Sequence, residues 1–338
     1  MIKLLEYSKN PEWQLRLMIL GGSISEYIKV ISELGIVDSL SEKPQKINCF
    51  IDDDMKSEKL IRLMNIGVAL NLFETNSSEE YSLTEMGQLL KSNVPHSLRN
   101  YAILKGQKWG RIGLSGLKDS LYHKESAFEL AHGMGIFDYM ERENLSHQYH
   151  ESLREISSYH DSFIIQNYDF SYYLKVMDIG GGMGSLLAEI LKSNINLRGI
   201  HYDQKSASKK AESSKLFSEL LDRCDFISGD FFKDIPEVCD LYILKTILHD
   251  WDDANASIIL NNIRRVIPKN GKLLIIEILP KNKNHTEYSI MDLEMLIFYG
   301  GKERTNMEYD KLLTSTGFKL QRVISTNADI SILEVCPV

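Results

Sequence analysis

The chain has 338 residues, a formal net charge of −8, 43% hydrophobic residues and 25% charged residues. That length allows two domains with a sizeable core, and the lack of a basic surplus argues against nucleic-acid binding as the main task. No apolar run approaches the length needed to span a bilayer, and residues 1–9 lack the long apolar core of a secretory leader. The four cysteines, Cys49, Cys224, Cys239 and Cys336, show neither metal-site spacing nor a disulfide framework, so a reduced cytoplasmic protein is expected.

From residue 12 to about residue 40 the pattern is helical. Ile24, Tyr27, Ile28, Ile31 and Leu34 recur on one stripe before Gly35 interrupts it. A second apolar helix is expected over residues 57–72, with Leu60, Leu63, Met64 and Leu70. In residues 73–83, polar Asn and Ser separate two short extended pieces, and Thr84 is placed to cap the next helix. Helices followed by a small hairpin look like a winged helix. Such a unit either binds DNA or packs on a partner, and the acidic Asp52, Asp53, Asp54, Glu79 and Glu80 favour the second role.

Residues 100–167 read as further helices rich in aromatics and histidine, among them Trp109, Phe128, His132, Phe137, Tyr149, His150 and His160. Singly, each suits a core or surface position; as a set they can roof a flat apolar substrate. The histidines lack the pairing that a zinc site needs, so no metal is expected.

Beyond them strands and helices alternate, which predicts a mainly parallel sheet. The first strand, residues 176–179, breaks into a glycine cluster at Gly180, Gly181, Gly182 and Gly184 and resumes as a helix with Leu186, Leu187, Ile190 and Leu191 on one face. Glycines there let the backbone approach a ligand, and the helix start directs free N–H groups at it. Asp203 ends the second strand nineteen residues after Gly184, about where a ribose-bearing cofactor needs an acceptor for its hydroxyls. The spacing is D-x-G-x-G-x-G from Asp178. The third glycine of a dinucleotide fingerprint would fall on Ser185, and no phosphate-binding lysine follows.

Residues 224–232 form an extended piece ending in Gly229, Asp230 and Phe231. An acid beside an aromatic suits an adenine, with its exocyclic amine on the carboxylate and its face on the ring. Next, Leu241–Leu244 is a buried strand with Lys245 at its carboxyl end, where open α/β sheets bind ligands. His249, Asp250 and Trp251 lie just past it. A neutral imidazole there, with an ordinary pKa near 6.5, suits a general base. Glu277 interrupts a buried strand and needs a partner, for which His249 is a candidate. An apolar helix carrying Met295 and Phe298, a glycine break and a second carboxylate at Glu303 come next. Residues 318–325 and 330–335 close the sheet as a β-hairpin.

With these motifs in order, the chain resembles the large O-methyltransferase family that includes plant caffeate and flavonoid O-methyltransferases, animal hydroxyindole O-methyltransferase and bacterial antibiotic-tailoring enzymes. The likeness is carried by DIGGGMG (178–184), GDFF (229–232), LKTILHDWDD (244–253), IIEILP (275–280) and GGKERT (300–305), with LGIVDSL (34–40) and YSLTEMG (81–87) in the helical half. It implies an α/β class I methyltransferase sheet, Rossmann-like, over residues 161–338. It also implies an N-terminal α-helical, winged-helix-like dimerisation domain over residues 1–160, and hence a homodimer.

By position, Asp178, Gly180, Gly182, Asp203, Gly229, Asp230, Phe231, Lys245 and Trp251 would hold S-adenosylmethionine. His249 would be the general base, flanked by Glu277 and Glu303. An aromatic substrate is expected against Trp109, Phe137, Tyr149, Leu153, Asp250, Met295 and Phe298. The departure is at Gln204-Lys-Ser-Ala-Ser, where the family usually has an apolar residue and a proline after the acid. Two other readings stay open: a family member that runs hydroxylation, decarboxylation or pericyclic chemistry in the same pocket, and a DNA-binding regulator built on the winged helix.

Overall fold

The computed structural model describes residues 10–40, 43–50, 55–280 and 286–338, with only the backbone described at Glu287. Asp52, Asp53 and Asp54 therefore lie outside the described residues. The chain divides into two compact units, Met1–Arg111 and Ile112–Val338. This division falls well before the boundary expected near residue 160. The aromatic helices between the two points belong with the sheet.

In the first unit the long helical stripe is three helices, Pro11–Ile19, Gly21–Glu33 and Ile36–Ser39. The break at Gly35 has φ +67°, a left-handed turn that glycine adopts without strain. Tyr27 and Ile31 of the middle helix and Leu60 and Met64 of helix Ser57–Ala69 bury one face each, at helical spacing, around Phe73 and Tyr81. Strands β1 (Gln45–Lys46), β2 (Phe73–Thr75) and β3 (Glu80–Leu83) pair antiparallel in the order β1-β3-β2. Thr84 caps the following helix, its side chain accepting from the Gly87 N–H at 3.1 Å. Helices with a small antiparallel wing are what the sequence predicts.

The second unit opens with helices Leu117–Ser120, Ala127–His132, Ile136–Arg142 and Ser146–Asn167, then builds a seven-stranded sheet. Its strands are β4 (Lys175–Ile179), β5 (Arg198–Asp203), β6 (Cys224–Ser228), β7 (Leu241–Lys245), β8 (Lys272–Ile278), β9 (Phe318–Ser325) and β10 (Ile330–Pro337). The order is β6-β5-β4-β7-β8-β10-β9. The first five are mutually parallel, while β10 runs antiparallel to both its neighbours.

The strands are apolar on both faces because both are covered by helices. Met177, Ile179, Tyr242, Leu244 and Ile275 pack against Ile259, Leu260 and Ile263 of helix Asp253–Val266. On the other face, Val176, Leu241, Ile243 and Ile276 pack against Leu186, Leu187, Ile190 and Leu191 of helix Ser185–Ser193. The chain runs outward from β4 to β6, then returns to continue on the other side at β7. That reversal opens a crevice at the carboxyl ends of β4 and β7. The glycine turn and Lys245 sit there.

Candidate active site

The crevice is an open-mouthed cleft whose lining residues all belong to the second unit. The glycine turn forms its floor: Gly180, Gly181 and Gly182 line it, and Gly180 and Gly182 have φ of +70° and +57°. A Cβ on Gly182 would meet nothing within 4 Å, so its exposed face is open for a ligand to approach the backbone. Asp203 stands beside it, accepting from the Gly182 N–H at 2.7 Å and the Gln204 N–H at 2.6 Å. Burial pushes the Asp203 carboxyl up to about 6 against those two donors, which leaves an ionised acceptor at neutral pH. Gln204, at the departure from the family pattern, itself lines the cleft.

Helix Ser146–Asn167 makes one wall with Tyr149, His150, Leu153, Arg154 and Ser157. Lys245 meets this helix at the floor. Its Nζ donates to the Ser157 carbonyl at 2.8 Å and to the Asp161 carboxylate, so the buried cation is neutralised within the protein. Thr246, the next residue, has φ +52°, a strained conformation for a β-branched side chain, on the cleft surface. Phe231 and Trp251 form an aromatic corner with ring centroids 6.2 Å apart, and Phe137 lies 5.9 Å from Trp251.

Behind Trp251 sits an acid-caged imidazole. His249 is buried, its Nδ1 2.8 Å from Glu303 Oε1 and 3.5 Å from Glu277 Oε2, and its Nε2 3.5 Å from Asp250 Oδ1. Burial alone would push the imidazole down. Glu277, Asp250 and Glu303 outweigh it and raise the ring to about 10. Asp250 is raised to about 7, chiefly by burial against the nearby His249 charge. Of this pair only Asp250 lines the cleft.

The cage is assembled by backbone. The Leu248 N–H donates to Glu277 at 3.0 Å, and the Glu303 N–H donates to Asp292 at 2.9 Å. Arg304, with no exposed surface, donates to the carbonyls of Leu248 and Trp251, each at 2.7 Å, and to Asp253 at 2.9 Å. Gly301 lets the two loops touch, since a Cβ there would lie 2.0 Å from the His249 carbonyl oxygen. The helix entering this loop ends as a π-helical turn, Met295–Tyr299, which sets the Tyr299 hydroxyl 2.5 Å from that of Tyr149.

Of the expected cofactor residues, Asp178, Gly180, Gly182, Asp203, Phe231, Lys245 and Trp251 line the cleft, and Gly229 and Asp230 do not. The Asp230 carboxylate is occupied by its own turn, accepting from the Phe232 N–H at 3.0 Å and pairing with Lys233 at 3.1 Å. Gly229 is required by packing instead, because a Cβ there would strike the Tyr202 ring. Among the expected substrate residues, Phe137, Tyr149, Leu153 and Asp250 line the cleft. Met295 and Phe298 are buried in the core, Phe298 with its ring 6.1 Å from Phe128, and Trp109 belongs to the first unit. His150, read only as one of the aromatic and histidine set, lines the cleft as well; Arg154, Ser157, Thr246 and Arg304 were missed. Thr246 and Arg304 lay inside recognised motifs, LKTILHDWDD and GGKERT, whereas Arg154 and Ser157 carried no local signal.

A family model described as an O-methyltransferase domain matches residues 114–319. The chain is 33% identical to the phenazine O-methyltransferase PhzM of Lysobacter antibioticus, covering 95% of each. The crystal structure of LaPhzM superposes with a TM-score of 0.90 at 32% identity, covering 96% of this chain and 98% of that one. Human N-acetylserotonin methyltransferase, solved in complex with SAM, superposes at 0.87 with 26% identity over 98% of both chains. The motifs, the sheet order and these matches agree: the chain belongs to the O-methyltransferase family.

Proposed function

We propose that this chain transfers the methyl group of S-adenosylmethionine to a hydroxyl oxygen of a small aromatic molecule, as a secondary-metabolite tailoring enzyme. The observation that carries the reading is a single cleft joining a donor site to an acid–base pair. Gly182 and Asp203 line it, and so does Asp250, which is backed by His249. Gly180, Gly182 and Asp203 would hold the donor, with Phe231 and Trp251 as its apolar neighbours. The open face of Gly182 and the ionised Asp203 fit a ribose-bearing ligand without phosphates. When bound, this donor supplies an electrophilic methyl on sulfur.

The protein's own task is then to hold the acceptor oxygen in line and remove its proton. Asp250, once ionised, takes the hydroxyl proton at the cleft wall, and the imidazolium of His249 behind it favours the ionised carboxylate. Glu277 and Glu303 orient the ring and favour the imidazolium. As the three carboxylates hold it, the ring keeps a proton at neutral pH, unlike the neutral imidazole expected from the sequence. The aromatic lining of Phe137, Tyr149 and Trp251 suits a flat substrate.

Methyl-labelled S-adenosylmethionine, incubated with a panel of hydroxylated phenazines, naphthols and flavonols, tests the reading. Label in an aryl ether, matched mole for mole by S-adenosylhomocysteine, is the expected result. A product that carries no label, formed without donor consumption, would overturn it in favour of other chemistry in the same cleft.

A further inference from the structure

Resting on the donor site just described, we propose that His201 is a positioning residue that sets the donor-binding glycine turn. It sits in the middle of β5, two residues before Asp203, with no exposed surface. Side chains two apart on a strand share a face, and both of these turn toward residue 182. His201 Nε2 lies 3.0 Å from the Gly182 carbonyl oxygen, and Asp203 Oδ2 accepts from the Gly182 N–H at 2.7 Å. One strand therefore grips the Gly182 residue by its carbonyl and by its amide. The Gly180 N–H adds a third tie, donating to the Tyr202 carbonyl at 2.8 Å.

The ring is also the surface on which the turn rests. A Cβ added to Gly181 would lie 3.0 Å from His201 Cδ2, and one added to Gly184 would lie 3.4 Å from it. Burial lowers the imidazole to about 4, so it is neutral in the physiological range. With a carbonyl facing Nε2, the proton belongs on that nitrogen, and Nδ1 faces the Ser208 hydroxyl at 3.4 Å. The Ser208 oxygen also lies 3.0 Å from the Ile227 carbonyl oxygen, which places the hydroxyl between the ring and β6. An apolar residue of similar size would fill the space but leave the Gly182 carbonyl unpaired. The turn would then relax away from the geometry in which Asp203 and the open face of Gly182 meet one ligand.

The role predicts a split in the kinetic constants. His201→Leu should raise the dissociation constant for S-adenosylhomocysteine, by titration calorimetry, about tenfold, the loss of one such hydrogen bond. KM for S-adenosylmethionine should rise in parallel, with kcat at saturating donor within about twofold of wild type. His201→Gln, whose amide nitrogen reaches the position of Nε2, should restore binding, whereas the shorter His201→Asn should not. Should the Leu variant fail to fold, the contrast between Gln and Asn decides the matter.

Unchanged affinity in the Leu variant, or equal affinities for Gln and Asn, overturns the positioning role while leaving the donor site standing. A wild-type chain that binds no S-adenosylhomocysteine overturns the donor site and this inference with it.

Discussion

In the proposed reading, Asp250 and His249 divide between them the role that the sequence assigned to His249 alone. The imidazole has the partners of a base, yet it stands behind the wall, and the group facing the cleft is a carboxyl raised to about 7. His249 lowers that carboxyl by its charge, while Glu303 raises it. Glu277 and the hydroxyls of Tyr149 and Tyr299 couple to it from the facing elements. An acid that must ionise before it can accept a proton gives a rate that rises with pH through its pKa. We therefore expect kcat/KM for the aromatic substrate to climb between about pH 6 and 8 and to level off above. Asp250→Asn should lower it roughly 10²-fold and abolish that rise. A pH profile of the Asn variant parallel to wild type would remove Asp250 from the proton path.

The elements that matter most are two loops locked face to face, residues 246–252 and 300–305. The Lys302 N–H donates to the His249 carbonyl at 2.9 Å, Gly301 permits the contact, and Arg304 clamps the carbonyls on either side. Arg304→Lys keeps the charge but loses the planar fork that reaches two carbonyls at once. Its expected outcome is a turnover at least tenfold lower with donor affinity within about twofold, measured by steady-state kinetics and calorimetry. Arg304→Ala leaves buried carbonyls unpaired and should cost roughly 2–5 kcal/mol, read as a lowered urea midpoint.

The glycine turn was legible in the sequence because its backbone demands glycine whatever surrounds it, and the strands were legible because burial on both faces leaves near-continuous apolar runs. The Arg304 clamp and the Lys245–Asp161 pair were not. Each joins residues far apart in the chain, and nothing local marks an arginine as buried or a lysine as already paired. The π-helical turn at Met295–Tyr299 was hidden as well, and with it the Tyr149–Tyr299 hydroxyl pair.

At the scale of the whole molecule, the first unit leaves helix Pro11–Ile19 with no buried residue, and Trp13, Leu15, Met18 and Ile19 are each more than half exposed. Patches of that kind mark contact surfaces. We expect a homodimer formed through the N-terminal unit. Light scattering should give the mass of two 38.8 kDa chains, and Trp13→Asp combined with Met18→Asp should weaken the association. A wild-type monomer at micromolar concentration would contradict this.

The account as a whole stands on a donor held apart from the Asp250–His249 pair, so the most direct test measures both functions in one variant. His249→Ala is predicted to bind S-adenosylhomocysteine with nearly unchanged affinity while turnover falls roughly 10²–10⁴-fold. Turnover equal to wild type, or a loss of donor binding as large as the loss of rate, would contradict it.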